Sequence, residues 1–558
     1  MRPWRLVLFL LATSCLAQTP RNCEIGRATG TLDASGVEVS YPMTGGIAYS
    51  PPSSDPRLAA HYFVPKESRL SPLYAANIWV GGTVEGEFRV AGATYGQGGP
   101  DNEHFEFWPG PLDEGATLPN PDDCSAYDRI WVVSVDDVEA YERTGVATDD
   151  LLTWPVGLGA EAVDASGRPL VVTGRDQSLD LGAGERPVVF GTQTAFWILN
   201  DVGNEHRSTG SLPLGIEVAV TAFVVSSPVP IFDQSSFMRY RITNRSDRDI
   251  NDLLFTLWAD PDLGDGGDDF VGVDTTRSLA YVYNADEPDQ GGYGLRPPAF
   301  GVRVLGGDAS PEESHRLGAF AYGQGGNANR RDPGNAAEYR RSMNGRWPDG
   351  TPIREIGNGY SRDVSAPSTA FAFPGDPTLG HFWSEERPGI YLDPYYQVGD
   401  RRFWATTRPV SLASGASTEV DLAFVFAQGD SRLGSLYDLF QQSDVVQAAY
   451  DDGSLFQTRP PYVPPAPPPP ILVSDLLIGP NPTSGPLTVR IRLPRAAAAR
   501  LVLVDALGRR VEAIDRVSWP VGETVIQLDA SRLPPGRYLA RLYVRGQASI
   551  TRQITIVR

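Results

Sequence analysis

A run of prolines decides how this chain can be organised. From Arg459 to Pro470, eight of the twelve residues are Pro. Proline fixes φ and donates no backbone hydrogen bond, so the run takes extended polyproline geometry and acts as a semi-rigid spacer. It separates a long body from a shorter tail. A chain of 558 residues is in any case too long for one hydrophobic core. We read a Pro-rich linker over 458–472 and a tail over 473–558. The parts differ in charge. From Asp475 onward there are thirteen Arg against six Asp plus Glu, so the tail is net positive. The body therefore carries more than the whole chain's formal charge of −20.

Both parts carry strand signals. Apolar residues make up 41% and aromatics 10%, enough for packed cores. Short apolar alternations are punctuated by 58 Gly and 48 Pro, which suits many turns and few long helices. In the body the strand candidates are 74–80, 129–135, 190–199, 214–225, 237–243, 253–258, 403–407 and 420–426. The turn signal at Ser226-Ser227-Pro228-Val229-Pro230 suggests a division into an N-terminal β domain, 18–226, and a second, 227–457. One short helix is expected at the end of the body, where Leu433, Leu436, Leu439, Phe440, Val445, Val446 and Ala449 fall near helical spacing. Residues 323–363, rich in Gly, Asn, Asp and Arg, read as long loops. The expected fold is all-β: a multidomain β-sandwich body with long loops, the linker, and a small Ig-like β-sandwich.

The first 17 residues read as a signal peptide, with Arg2 and Arg5 before the apolar stretch Leu6 to Ala12 and a cleavage signal at Cys15-Leu16-Ala17. Ala12-Thr13-Ser14-Cys15 is a partial lipobox without the usual leading Leu. No apolar run reaches the roughly 20 residues of a membrane span, so none is expected. After cleavage two cysteines remain, Cys23 and Cys124, and an exported chain with two thiols invites a disulfide. Two separate buried thiols are the other reading. An acidic field repels phosphate, so nucleic acid is not an expected partner. Lys66 is the only Lys beside 47 Arg, a bias we ascribe to genomic base composition.

The tail reads as six or seven short strands. Leu487, Val489, Ile491 and Leu493 alternate with polar residues, as do Tyr538, Ala540, Leu542 and Val544. Turn clusters lie at Gly479 to Gly485, Ala506 to Arg509 and Leu533 to Gly536. This stretch resembles the type A C-terminal sorting domain of the type IX secretion system. The carrying residues are Pro480, Asn481, Pro482 and Gly485, the strand-turn Leu503 to Arg509 with Gly508, and Leu528 to Tyr538 with Gly536. The resemblance implies the type IX machinery as a partner and export across the outer membrane of a Bacteroidota-like bacterium. An ordinary Ig-like adhesion module is the alternative.

In the body, the most chemical-looking segment runs from Trp258 to Asp274. Asp260, Asp262, Asp265, Asp268, Asp269 and Asp274 fall within 15 residues, and no cation intervenes before Arg277. Calcium wants six to eight oxygens, and Asp on a Gly-rich loop supplies them compactly. This is no EF-hand, since Gly264 and Val271 occupy its fifth and twelfth positions. We expect calcium here, and a solvated acidic hairpin is the bland alternative. Most tryptophans should pack in cores, with Trp108 and Trp347, both beside Pro, the candidates for exposure and for stacking on sugars. The five histidines read as isolated polar loop residues. GxSxG, GxGxxG, P-loop and HExxH patterns are absent. Loosely, the body also resembles large secreted Bacteroidota proteins of unassigned activity, through Asn77 to Gly82, Phe107 to Pro111, Tyr127 to Trp131, the acidic loop, and Gly399 to Phe403. The expectation is a non-catalytic, calcium-stabilised β-protein at the cell surface for adhesion or polymer binding, with a polysaccharide or surface polymer as partner; a purely structural surface-layer component is a further option. A secreted carbohydrate-active hydrolase is the alternative, because a catalytic carboxylate pair cannot be picked from spacing.

Overall fold

A computed structural model describes residues 23–49, 61–95, 105–116, 123–307, 316–381, 383–386, 399–456, 474–494, 497–505, 509–520, 522–544 and 549–557. The segment 1–17 read as a signal peptide, the Pro-rich linker and Gly508 lie outside them. Strands dominate, at 42% against 15% helix. The chain forms two compact units, Met1–Arg459 and Pro460–Arg558.

The body is built on two large antiparallel sheets. One has nine strands. Its centre runs Ala299–Gly306, Ser417–Ala427, Ser235–Asn244, Ile216–Val224 and Gln193–Asn200 in spatial order. The other has seven, with Leu317–Gln324, Arg401–Thr407, Ile250–Asp260 and Ala75–Val84 adjacent in that order. The sheets face each other over one core. Tyr240 of the first meets Phe255 of the second with ring centroids 5.1 Å apart, and Trp79, Trp197, Trp258 and Trp404 are all buried in this layer. Along Ser417–Ala427, Leu422, Phe424 and Phe426 point into that core. Ala423, Val425 and Ala427 point the other way, to a second cluster completed by Leu436, Leu439 and Phe440 of a helix. A strand covered on both faces reads as a continuous apolar run, which is what 420–427 shows.

Four expectations need correction. The division near 226 does not separate two cores. Ile216–Val224 pairs directly with Ser235–Asn244, Val220 opposite Tyr240, so the turn signal at Pro228 and Pro230 marks a hairpin connection. The helix at the end of the body is not short but spans twenty residues, Arg432–Asp451, capped by the Ser431 side chain, which accepts from Gly434 N. It is also not alone. Val135–Thr144 carries a Ser134/Asp137 capping box, and Ala336–Met343 starts at an Asn335 cap inside the stretch read as loops. Trp108 and Trp347 are buried, at 2% and 0% exposure. Trp108 and Pro109 form a short strand paired with Gln193–Asn200, and the Trp347 indole donates to Gly359 O at 3.1 Å, so both rings are held inside. Finally, His206 is 3% exposed. Its ring nitrogens lie 3.0 and 2.7 Å from the carbonyls of Val90 and Asp201, and it stacks on Trp108.

Cys23 and Cys124 are disulfide-bonded, with Cα atoms 5.8 Å apart, and pack with Trp108. The bridge closes a loop of 101 residues. In the tail, a three-stranded sheet (Asp475–Gly479, Pro486–Leu493, Gly522–Asp529) and a four-stranded one (Arg510–Trp519, Ala497–Asp505, Gly536–Val544, Ile550–Ile556) enclose Leu476, Val489, Ile491, Leu501, Leu542 and Ile554. This is a small sandwich, and the alternation over 486–493 puts its apolar residues inside.

Closing a loop of that length removes up to about 4 kcal/mol of unfolded-state entropy. Cys124→Ser should therefore lower the denaturant midpoint of the body and leave that of the tail in place. Equal midpoints for parent and variant would show that the bridge adds nothing.

Candidate metal centre and terminal module

The acidic loop begins where a core strand ends. Ile250–Asp260 is buried along most of its length, and its last residue, Asp260, is only 4% exposed. Asp260 Oδ2 accepts a 2.6 Å hydrogen bond from the Tyr95 hydroxyl. Its Oδ1 is buried without a hydrogen-bond partner among the described residues. After Pro261 and Asp262 the chain turns at Gly264, φ +79°, forms one 3₁₀ turn over Gly266–Asp268, and enters the strand Asp269–Asp274. Glycine is required at two of these positions. A Cβ on Gly264 would stand 2.1 Å from Asp289 Oδ2, and one on Gly266 would stand 2.2 Å from Asp262 Oδ1. Carboxylates thus press directly on backbone.

Across from the loop, Arg401–Thr407 delivers two adjacent arginines to opposite faces, as a strand must. Arg401 turns inward to a fully buried pair with Glu385, 3.2 Å away, and Glu385 also accepts from Val271 N. Arg402 turns toward the acids. Just before it, Asp400 joins Asp260 and Asp262 so closely that one ligand oxygen from each lies within 4.8 Å of the others. Calcium ligands sit about 2.3–2.6 Å from the ion, so two of them are at most about 5 Å apart. The three oxygens therefore fit around one hard cation, and no nitrogen or sulfur donor is among them.

Counter-charge is short. Arg402 donates to Asp332 at 2.8 Å and to Asp400 at 3.0 Å, while its Nε is 4.0 Å from Asp260 Oδ1, an ion pair too long for a hydrogen bond. Oδ1 of Asp268, Asp269 and Asp400, like that of Asp260, is buried without a partner among the described residues. Asp269 is 1% exposed, and its other oxygen accepts from Leu263 N at 3.0 Å. Burial pushes Asp260 and Asp269 well above the carboxylate range, and Asp262 adds to the effect on Asp260. Asp262 rises to about 6 through burial and then Asp400. Asp268 rises to about 6 through burial and then Asp289. Unpaired buried carboxylates are costly, and a divalent cation removes that cost.

Not every sequence candidate belongs to this group. Asp265 is exposed and caps the 3₁₀ turn through Gly267 N. Asp274 ends the far side of its strand. Burial raises its pKa, but bonds from Thr276 and Arg277 outweigh this and hold it below the ordinary value. Asp400 was missed. It lies 140 positions downstream of Asp260, and only the pairing of Ile250–Asp260 with Arg401–Thr407 brings the two together.

In the tail, the Pro480-Asn481-Pro482 segment is stitched to the last strand. Asn481 Nδ2 donates to Gln553 O and its Oδ1 accepts from Thr555 N, both at 2.8 Å. The Tyr538 hydroxyl donates to Pro534 O at 2.8 Å, locking the turn before its strand. Gly485 and Gly536 have ordinary backbone conformations and open space around them, so packing does not demand glycine at either.

The raised values fix a sign. With chelator present, the folded protein keeps protons on Asp262 and Asp268 between pH values of about 4 and 6, where the unfolded chain has released them. This part of the stability therefore grows as pH falls through about 6. Acidifying from about pH 7 to about 5 should stabilise the parent more than Asp262→Asn, by about 1 kcal/mol. Identical denaturant-midpoint shifts in the two proteins would refute the assignment.

No characterised protein sequence matches the chain. Among solved structures, a polysaccharide lyase shares 9% identity at a TM-score of 0.18, over 61% of this chain and 34% of that one. The adhesin domain of Epf from Streptococcus pyogenes shares 7% at 0.15, over 60% and 89%. The chain thus spans about a third of the lyase, and neither likeness is close enough to bear on fold or function. Residues 478–557 match the family model of the secretion system C-terminal sorting domain, and the tail belongs to that family.

Proposed function

We propose that this protein is exported by the type IX secretion system and acts at the cell surface or beyond as a non-catalytic, calcium-stabilised β-protein for adhesion or polymer binding. The sorting tail supports the export half of this reading. An N-terminal signal peptide would take the chain to the periplasm first. The body half is carried by one observation: Asp260, Asp262 and Asp400 converge at the end of a core strand, where Asp260 Oδ1 and Asp400 Oδ1 are buried without a hydrogen-bond partner among the described residues. Asp269 and Asp268 supply further oxygens nearby in the same loop. A surface protein meets millimolar calcium outside the cell, the range in which extracellular calcium modules bind. Loading the site would pin the end of Ile250–Asp260 to the start of Arg401–Thr407 and stiffen a body that must hold a polymer.

Saturating calcium, about a hundredfold above the dissociation constant, should stabilise the body by about 2–3 kcal/mol. Chelator should remove that gain, and the double substitution Asp260→Asn, Asp262→Asn should make the melting temperature independent of calcium. A parent melting temperature that ignores chelator would sink the calcium assignment. Turnover of any polysaccharide by the intact protein would replace binding with hydrolysis. A reporter fused to residues 473–558 should reach the surface of a competent host, and retention in the periplasm would overturn the export route.

A further inference from the structure

Next to the acidic cluster lies a pocket that the cation site does not use. Its volume is about 310 Å³, at the lower end of small-molecule sites, which run from roughly 300 to 1,000 Å³. Tyr49, Tyr95 and Phe105 supply aromatic wall, and Thr44, Asn77 and Arg27 supply polar groups. The aromatic wall is organised. Tyr49, Tyr74 and Tyr95 form a closed trio with ring centroids 5.6 to 6.3 Å apart. Tyr95 is also the residue whose hydroxyl donates to Asp260, so a single phenol ring separates the pocket from the carboxylates.

One polar group in this wall is unspent. The Thr44 hydroxyl is buried and has no hydrogen-bond partner among the described residues. Asn77, by contrast, is committed: its Nδ2 donates to Thr94 O and its Oδ1 accepts from Ile78 N. An unpartnered buried hydroxyl is costly unless a ligand or water completes it. Aromatic faces together with a waiting hydroxyl suit a molecule that is apolar on its ring faces and hydroxylated around its edge. A sugar ring has that character. Arg27 is the single cation among the lining residues and is exposed at the rim, so no buried counter-charge awaits a ring that itself carries a carboxylate.

We propose that this pocket binds one uncharged hexopyranose unit of a glycan, with Tyr49 and Tyr95 against the ring and Thr44 hydrogen-bonded to a ring hydroxyl. The inference rests on the polymer-binding reading above and gives it a ligand class and a site. It is tested by saturation-transfer NMR on the full chain with galactose, glucose, mannose and N-acetylglucosamine, using galacturonic acid as the charged control. At least one uncharged hexose should give a signal. Its affinity should fall at least about tenfold in Tyr49→Ala, as loss of stacking and ring contact predicts. Thr44→Val, which keeps the shape and removes only the hydroxyl, should also weaken binding and decides the matter if Tyr49→Ala loses the parent's melting temperature. No signal from any uncharged hexose overturns the proposal, as does a signal unchanged in both variants, or binding of galacturonic acid alone. Retention of the chain on insoluble polysaccharide with no hexose signal defeats the pocket and spares the polymer reading. A hexose signal lost in the variants, with no retention on any polymer, does the reverse.

Discussion

The body depends on two broad sheets sharing one apolar layer. Tyr240 against Phe255, and the buried tryptophans on strands of both sheets, tie segments that are hundreds of residues apart into one unit. Burial of that much aromatic surface is non-directional and sets only the overall stacking. Direction comes from the ladders, above all Ser235–Asn244, which pairs on one side with Ile216–Val224 and on the other with Ser417–Ala427. The central strands pack on both faces, so little of their surface is left for chemistry. Function is displaced to the places where strands leave the layer.

Asp260 stands at such a place. Its strand is held in the core by Trp258, whose indole donates to Asp332, and the same Asp332 holds Arg402. The acids are therefore not a solvated fringe. They are fixed by the same ladder that builds the core, and the one arginine facing them among the described residues is shared among Asp332, Asp400 and Asp260. A fixed surplus of buried negative charge is an unusual thing for a fold to retain. The proposed cation would offset that surplus.

The tail solves a different problem with the same means. It is a small sandwich whose first turn and last strand are joined by the Asn481 side chain, so its two chain ends are secured to each other. Thr483 adds a parallel bridge to Ile556. Its motif residues thus fall into two kinds. Asn481 and Tyr538 hold the fold, whereas Gly485 and Gly536 are required neither by backbone strain nor by crowding.

How much was legible in the sequence follows from the range of each interaction. Strand class, the two-part layout and the tail's alternation are set by neighbours a few residues apart, and these could be read from Leu487 to Leu493 or from 420–426. The Asp-rich loop was visible for the same reason, because Asp260, Asp262 and Asp269 are close in sequence. Local signals also misled: Pro beside Trp108 and Trp347 suggested exposure, and Pro228 suggested a domain break. Which acids meet was a different matter. Asp400 joins and Asp274 departs because of strand pairing across 140 residues, and neither spacing nor composition encodes that. The sequence by itself determined the β architecture and the address carried by the tail. Only the tertiary structure decided which carboxylates share a site, that Trp108 and Trp347 are core, and that a tyrosine-lined pocket adjoins the acids, because these depend on register between strands that no local pattern records.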